Sequence, residues 1–259
     1  MRDVRLTDGA CELFAREDGS GPSVMLLHGG LTSHEAVLPM LVPLADRYRV
    51  IAPDLRGSGR SRCAEDLTFD RLAEDVARLL DHLEIDRVVI GGMSSGSGPA
   101  VRFALRFPER TRAVLVLSPV YAGADVGYTS GQTAAFRGMD AIASRAIDDG
   151  IETLRPLFAG LPAGIRERAW EIVGEFDPAG VVATSRFIAS GAQPFESCRE
   201  LEAIEVPVLL VRGDDATHPS EFSDLYARHI PDCTALPAST EDLSSAIREF
   251  CDAVIEASE

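Results

Sequence analysis

The sequence predicts an α/β protein in which helices cover both faces of a mostly parallel β-sheet. Short apolar runs with strand character alternate with longer segments of helical period. A chain of 259 residues, 46% of them hydrophobic, is long enough to bury one large core. The alternation stops at residues 121–204, where only helical spacing is found. We therefore expect a core formed by residues 1–120 and 205–259, with one helical insertion.

The predicted strands are short and bounded by turn residues. The first two flank Asp8-Gly9 and indicate an opening hairpin. Between strands, apolar residues that repeat every three or four positions predict a helix docked on the sheet, most clearly from Leu72 to Leu83. The strand-like runs are residues 4–6, 11–15, 24–27, 48–52, 88–90, 113–117 and 208–211.

The insertion and the C-terminal segment are predicted to be helical. Within the insertion the helical period is clearest at residues 163–173 and 181–189, and frequent glycines indicate broken helices rather than a rigid bundle. A last helix is expected at residues 243–255, with Ser239 or Thr240 as its N-cap.

Charge and basic-residue usage exclude several partners. The formal charge of -16 is spread along the chain, which argues against binding to nucleic acid or to anionic membranes. Every basic residue is Arg, so Schiff-base chemistry and a phosphate-loop lysine are excluded. No apolar run approaches the roughly 18 residues that span a membrane. We expect a small-molecule substrate as partner; a homodimer is an open alternative.

Cysteine usage favours a reducing compartment. The cysteines are odd in number and widely spaced, and no Cys-x-x-Cys pair occurs. We expect free thiols and, because the N-terminus lacks a signal pattern, a cytoplasmic location. The cysteines are Cys11, Cys63, Cys198, Cys233 and Cys251.

One serine lies in a pattern typical of a nucleophile. Gly92-Met93-Ser94-Ser95-Gly96 follows the strand at residues 88–90 and precedes a helical stretch, and it matches G-x-S-x-G. The small residues two positions before and after the serine permit a strained turn that exposes the hydroxyl. Ser94 is therefore the candidate nucleophile.

Two further motifs follow earlier strands. His28-Gly29-Gly30 supplies flexible backbone that can aim an amide at a developing oxyanion, and the Ser95 amide is the natural second donor. We predict that Gly30 and Ser95 bind the substrate carbonyl. The segment from Asp54 to Ser61 is a glycine-rich turn to which we assign a structural role.

In this order and after successive strands, the three motifs resemble the α/β-hydrolase family, and the strand and insertion pattern extends the resemblance to nearly the whole chain. The resemblance implies the α/β-hydrolase fold: an eight-stranded sheet with a helical cap, residues 121–204, inserted after the sixth strand. It also implies a catalytic carboxylate after the next strand, where Asp214 and Asp215 are adjacent. Pro219, four residues on, favours Asp215. The alternative is that both residues cap the following helix.

The histidine that the family places after the last strand is missing, since residues 234–243 contain none. Loss of a triad member costs about 10⁴-fold in rate. Another group is then needed as the base, and His218, three residues after Asp215, is our candidate for base or substrate contact. His34, just after the oxyanion loop, is a candidate substrate contact.

Other groups near these positions have simpler interpretations. Glu241 and Asp242 are carboxylates that burial could turn into weak bases, or else the first turn of the last helix. His28 is expected to bond loop backbone, and His82 and His229 to lie on the surface near helix ends. No H-x-H or H-E-x-x-H pattern occurs, so we expect neither a metal nor another cofactor.

These observations support three functional hypotheses. The first is a hydrolase that cleaves an ester, lactone, thioester or amide through Ser94 with an atypical base. The second is a biosynthetic cyclase, lyase or isomerase in which Ser94 donates a hydrogen bond. The third is a ligand-binding pseudoenzyme. In each case the aromatic residues of the insertion favour a small apolar carbonyl compound as ligand.

Overall fold

The computed structural model describes residues 1–9, 11–63, 65, 67–159, 163–174 and 176–257. In this part of the chain eight strands form one sheet in the order β1-β2-β4-β3-β5-β6-β7-β8. The strands from β3 to β8 pair in parallel, and β2 pairs antiparallel with β1 and β4. The predicted mostly parallel sheet is confirmed. The strands are β1 Arg2–Asp8, β2 Cys11–Asp18, β3 Ser23–Leu27, β4 Arg49–Asp54, β5 Val88–Met93, β6 Thr111–Leu117, β7 Val208–Val211 and β8 Cys233–Leu236.

Helices follow most of the strands. The α-helices are α1 Leu38–Leu41, α2 Phe69–His82, α3 Ser97–Arg106, α4 Ser130–Ala143, α5 Ala146–Asp149, α6 Ala163–Val173, α7 Pro178–Ala189, α8 Ser220–His229 and α9 Leu243–Glu256. Short 3₁₀ segments are found at His34–Ala36, Val42–Leu44, Ser94–Gly96, Pro108–Arg110, Ile151–Phe158 and Cys198–Ala203. None of the helices in the described ranges combines the length and apolar character needed to cross a bilayer.

Alternation along the strands divides the core into two layers. In β3, Met25 and Leu27 face α2, α3 and α8, while Val24 and Leu26 face α1 and α9. Successive strand residues point to opposite faces, so each strand contributes to both layers. All of β3 is buried, as expected for a central strand of a parallel sheet. Helices therefore cover both faces of the sheet, as the sequence predicts.

Strand register brings the connections that carry the sequence motifs to one edge of the sheet. Leu27 pairs with Gly92, Met93 with Leu117, and Leu117 with Val211. The carboxyl ends of β3, β5, β6 and β7 thus lie side by side, which is where open α/β sheets bind ligands.

Residues between β6 and β7 contain α4, α5, α6 and α7, which we call the helical insert. The helix predicted at residues 163–173 coincides with α6, and the one at 181–189 lies within α7. The insert contacts the core directly, since the Thr184 hydroxyl donates to the Gly57 carbonyl at 3.2 Å.

Two local predictions were wrong. Cys11 and Cys63 form a disulfide, whereas Cys198, Cys233 and Cys251 are free. The pairing has no local sequence signal, because it depends on β2 lying beside β4. It removes the support that free thiols gave to a cytoplasmic location.

The N-cap of α9 also differs from the prediction. Asp242, and not Ser239 or Thr240, accepts a hydrogen bond from the Ser245 amide. The helix begins at Leu243 as expected, so only the identity of the cap changes.

Candidate active site

Ser94 lies in a strained turn at the end of β5. Its φ angle is 54°, a left-handed conformation that L-residues rarely adopt. A side chain at Gly92 would come within 1.9 Å of the Gly96 carbonyl oxygen, and one at Gly96 within 2.3 Å of the His28 carbonyl oxygen. Both glycines are therefore required by close backbone contacts, and the turn leaves the Ser94 side chain partly exposed.

Ser94, His218 and Asp215 form a hydrogen-bonded chain. His218 Nε2 lies 2.8 Å from Ser94 Oγ, and His218 Nδ1 lies 2.8 Å from Asp215 Oδ2. The serine comes from the β5–α3 connection, while the other two residues share one turn after β7. The three predicted catalytic residues are thus within reach of one another, in the arrangement used by serine hydrolases.

The Asp215 carboxylate is held by its own turn. Its Oδ1 atom accepts hydrogen bonds from the Thr217 amide and hydroxyl, both at 2.7 Å, and from the His218 amide at 2.9 Å. Burial raises the pKa of Asp215, but the hydrogen bonds from His218 and Thr217 outweigh it and lower the pKa to about 2. The carboxylate is therefore ionised at neutral pH and accepts a hydrogen bond from His218 Nδ1.

Two buried polar side chains anchor this turn. The Ser223 hydroxyl in α8 accepts the Gly213 amide at 3.1 Å. The Gln132 side chain in α4 donates to the carbonyls of Val120 and Thr217, both at 3.0 Å, and is fully buried. Gly213 is required here because a Cβ would lie 2.3 Å from the His218 carbonyl oxygen. The sequence patterns did not indicate Thr217 or Gln132; an Asp-x-Thr-His run and the Thr-x-x-Gln capping box of α4 are the only local signals.

The predicted oxyanion residues lie beside Ser94. A Cβ on Gly29 would be 3.3 Å from Ser94 Cβ, and one on Gly30 would be 3.3 Å from Ser95 Oγ. Ser95 follows the nucleophile in the 3₁₀ segment Ser94–Gly96 that leads into α3, and backbone amides at such an N-terminal end lack acceptors within the helix. The loop is held by His28, whose ring accepts the Leu55 amide at 3.0 Å and contacts the Gly29 carbonyl at 2.7 Å, so its predicted backbone role is confirmed.

His34 occupies a different environment from the serine. Its Nδ1 atom and its backbone amide contact Asp54 Oδ1 at 2.8 and 2.7 Å, and its side chain is buried. Asp54 also accepts the Arg60 amide, which holds the glycine-rich turn together as predicted. His34 borders a cavity of about 490 Å³ with Arg60 and Phe176. His34 does not line the separate, smaller cavity beside Gly30 that is described below.

The alternative acids and bases lie outside this chain of hydrogen bonds. Asp214 is exposed and makes no hydrogen bond or ion pair within the described residues. Asp242 is the exposed N-cap of α9, and hydrogen bonds from Ser244 and Ser245 lower its pKa, opposite to what a base requires. In the part of the chain that is described, no three His, Cys, Asp or Glu side chains are grouped to hold a metal ion.

A small cavity adjoins Gly30 and Ser95. Its volume is about 30 Å³, and its apolar wall includes Pro99 of α3, Tyr121 from the segment after β6, and Ile188 of α7. Ile188 lies close above the oxyanion loop, since a Cβ on Gly30 would come within 2.6 Å of its Cδ1 atom. A residue of the insert thus covers the site.

Comparisons with known proteins agree with this fold. A family model for the alpha/beta hydrolase fold matches residues 22–140. The chain is 29% identical over 226 residues to 2-(acetamidomethylene)succinate hydrolase of Mesorhizobium japonicum, covering 82% of this chain and 77% of that protein. A thermophilic esterase from Thermogutta terrifontis superposes with a TM-score of 0.79 at 26% identity, covering 98% of this chain and 99% of that chain.

Another relative is matched over a part of its length only. The dihydrolipoyllysine-residue acetyltransferase component of the acetoin cleaving system of Cupriavidus necator is 38% identical over 128 residues, which is 48% of this chain and 34% of that protein. The sheet, the family model and the solved structures together define the class: this chain has the α/β-hydrolase fold, and residues 22–140 match the family model of that fold.

Proposed function

We propose that this protein is a serine hydrolase that cleaves a small carbonyl substrate, an ester, thioester or lactone, through Ser94, with His218 as base and Asp215 as its acid partner. The observation that carries the proposal is the 2.8 Å contact between His218 Nε2 and Ser94 Oγ. The base missing after β8 is replaced by a histidine after β7. The helical insert acts as the cap over the site.

The proton steps follow from the hydrogen bonds. Because Asp215 is ionised, it holds the proton on His218 Nδ1 and leaves the Nε2 lone pair facing Ser94. Nε2 takes the hydroxyl proton while Oγ attacks the substrate carbonyl, and the Gly30 and Ser95 amides stabilise the oxyanion. His218 then protonates the leaving group, and water hydrolyses the acyl-enzyme by the same steps in reverse.

This geometry favours hydrolysis over the two alternatives. A cyclase, lyase or isomerase that uses Ser94 only as a hydrogen-bond donor has no need of an ionised carboxylate behind the histidine. A pseudoenzyme has no need to keep a base within reach of a serine held at positive φ.

Labelling with an active-site fluorophosphonate, followed by mass spectrometry, tests the proposal. We expect the label on Ser94, with the labelling rate lowered at least about 10³-fold in His218→Ala and in Asp215→Asn. His229→Ala and Asp214→Asn are the matched controls, because both residues are outside the hydrogen-bonded chain, and they should label like the unmodified protein. A folded protein that resists labelling would refute a nucleophilic Ser94.

A further inference from the structure

The position of the small cavity relative to the base decides which half of a substrate enters it. The cavity is lined by Gly29, Gly30 and Ser95, whereas His218 does not border it. The leaving group must lie where His218 can protonate it, and the carbonyl oxygen must face the Gly30 and Ser95 amides. The remaining substituent of the carbonyl, the acyl chain, is therefore directed into the cavity.

The volume of the cavity limits that chain. A cavity of about 150 Å³ holds a benzene molecule. The cavity beside Gly30 measures about 30 Å³, one fifth of that, and its wall is mainly apolar. One or two carbons beyond the carbonyl fill such a space.

A much larger groove lies next to the small cavity, and the side chains of Leu67 and Phe187 form the partition between the two spaces. The groove measures about 750 Å³, and it shares Leu67 and Phe187 with the small cavity. The Phe187 ring is fixed by Phe69, with ring centroids 5.1 Å apart, and Phe69 packs edge-on against Tyr121 at 5.0 Å. This aromatic stack holds Phe187 between the two spaces.

We propose that Phe187 sets the acyl-chain length, so that the substrates are esters or thioesters of acyl groups with two or three carbons. The proposal rests on the hydrolase function proposed above. A longer chain requires the Phe187 side chain to leave the partition, and removal of that side chain joins the cavity to the groove.

The test compares p-nitrophenyl acetate, butyrate and octanoate. For the unmodified protein we expect kcat/KM for acetate to exceed that for octanoate at least about 10-fold. Each methylene group that the cavity cannot hold lowers kcat/KM by about 10-fold or more. In Phe187→Ala, the ratio of kcat/KM for octanoate to kcat/KM for acetate should rise at least about 10-fold. Phe187→Leu, which keeps more side-chain volume, should show a smaller rise.

Phe158→Ala is the matched control. Phe158 is another aromatic residue of the insert and packs against Trp170, with ring centroids 6.3 Å apart, outside the partition. Its replacement should leave the ratio of the three kcat/KM values unchanged. Circular dichroism on each variant confirms folding.

The outcomes separate this proposal from the hydrolase function. Equal turnover of all three esters, a preference for octanoate, or an unchanged ratio in folded Phe187→Ala and Phe187→Leu would overturn the chain-length proposal. Acetate hydrolysis that is lost in Ser94→Ala would still support the hydrolase function in those cases. Absence of Ser94-dependent turnover of every ester would overturn both.

Discussion

Asp215 and His218 lie three residues apart, and the turn between them brings an imidazole to Ser94 without a histidine after β8. The Asp215 carboxylate accepts three hydrogen bonds from residues 217 and 218. The Asp215 side chain therefore stabilises the turn in which it lies. His218 Nδ1 contacts the other carboxylate oxygen, Oδ2, at 2.8 Å. One short turn therefore supplies both the proposed base and the group that orients it.

The lowered pKa of Asp215 gives a prediction for the acid side of the pH profile. Its pKa of about 2 in the folded protein lies below the ordinary value of 3.8, so its contribution to stability is present above about pH 4 and is lost as pH falls towards 2. Protonation of Asp215 therefore adds nothing to the fall of activity between pH 7 and about pH 4. The slope of log(kcat/KM) against pH should not exceed one in this range. A slope of two would show that the carboxylate titrates within this range and would contradict its lowered pKa.

The site residues differ in how well the sequence alone predicts them. Ser94 follows a strand and lies in a G-x-S-x-G pattern, which predicts a sharp turn that exposes the serine. Its position is therefore predictable from the sequence. The choice of Asp215 over Asp214 rested on the spacing to Pro219, and the hydrogen bonds now favour it. The distance from His218 to Ser94 was not predictable, because it depends on how the turn after β7 folds towards the end of β5.

At the scale of elements, α4 connects the helical insert to the turn that carries the base. Its N-terminus has a capping box formed by Thr129 and Gln132. The Gln132 side chain thereby accepts the Thr129 amide at 3.0 Å while donating to the carbonyls of Val120 and Thr217. The same buried amide caps the N-terminus of α4 and anchors Thr217, the residue next to His218.

Replacement of Gln132 should therefore lower the rate more than substrate binding. In Gln132→Leu the carbonyls of Val120 and Thr217 lose their donor, and each unsatisfied buried acceptor costs about 1–3 kcal/mol. We expect kcat for acetate hydrolysis to fall about 10-fold or more, with KM within about threefold, because His218 is displaced from Ser94.

Gln193→Leu is the matched control for this variant. The Gln193 side chain accepts the amides of Ala122 and Gly123 at 3.1 and 3.2 Å, so it also links side chain to backbone, but it makes no contact with the turn after β7. Its loss should lower the free energy of unfolding and leave kcat unchanged. Equal losses of kcat in the two variants would show that Gln132 acts only through stability.

At the scale of the whole molecule, the sheet order and the disulfide show what a sequence can and cannot predict. Strand and helix rhythm predicted the parallel sheet and the site of the insertion, because these patterns are local. The bond between Cys11 and Cys63 joins the start of β2 to the segment after β4, which are neighbours only in the folded sheet. Contacts of that kind have no signature in the spacing of residues.

The disulfide closes a loop of 52 residues and should stabilise the fold measurably. A loop of this length restricts the unfolded chain by about 3–4 kcal/mol. We expect the double variant Cys11→Ser, Cys63→Ser to lose roughly that free energy of unfolding in urea. The unmodified protein should lose the same amount in dithiothreitol, and the double variant should not respond to the reductant. A double variant as stable as the unmodified protein would contradict a closed bond.

The joint placement of acid and base on one turn has a mechanical consequence. In a triad assembled from three separate connections, a shift of the connection that carries the histidine misaligns two contacts at once. Here Asp215 and His218 travel as a unit, so a displacement of the turn changes the reach to Ser94 and leaves the imidazole correctly oriented. Such a displacement therefore changes one of the two contacts, the one between His218 Nε2 and Ser94 Oγ.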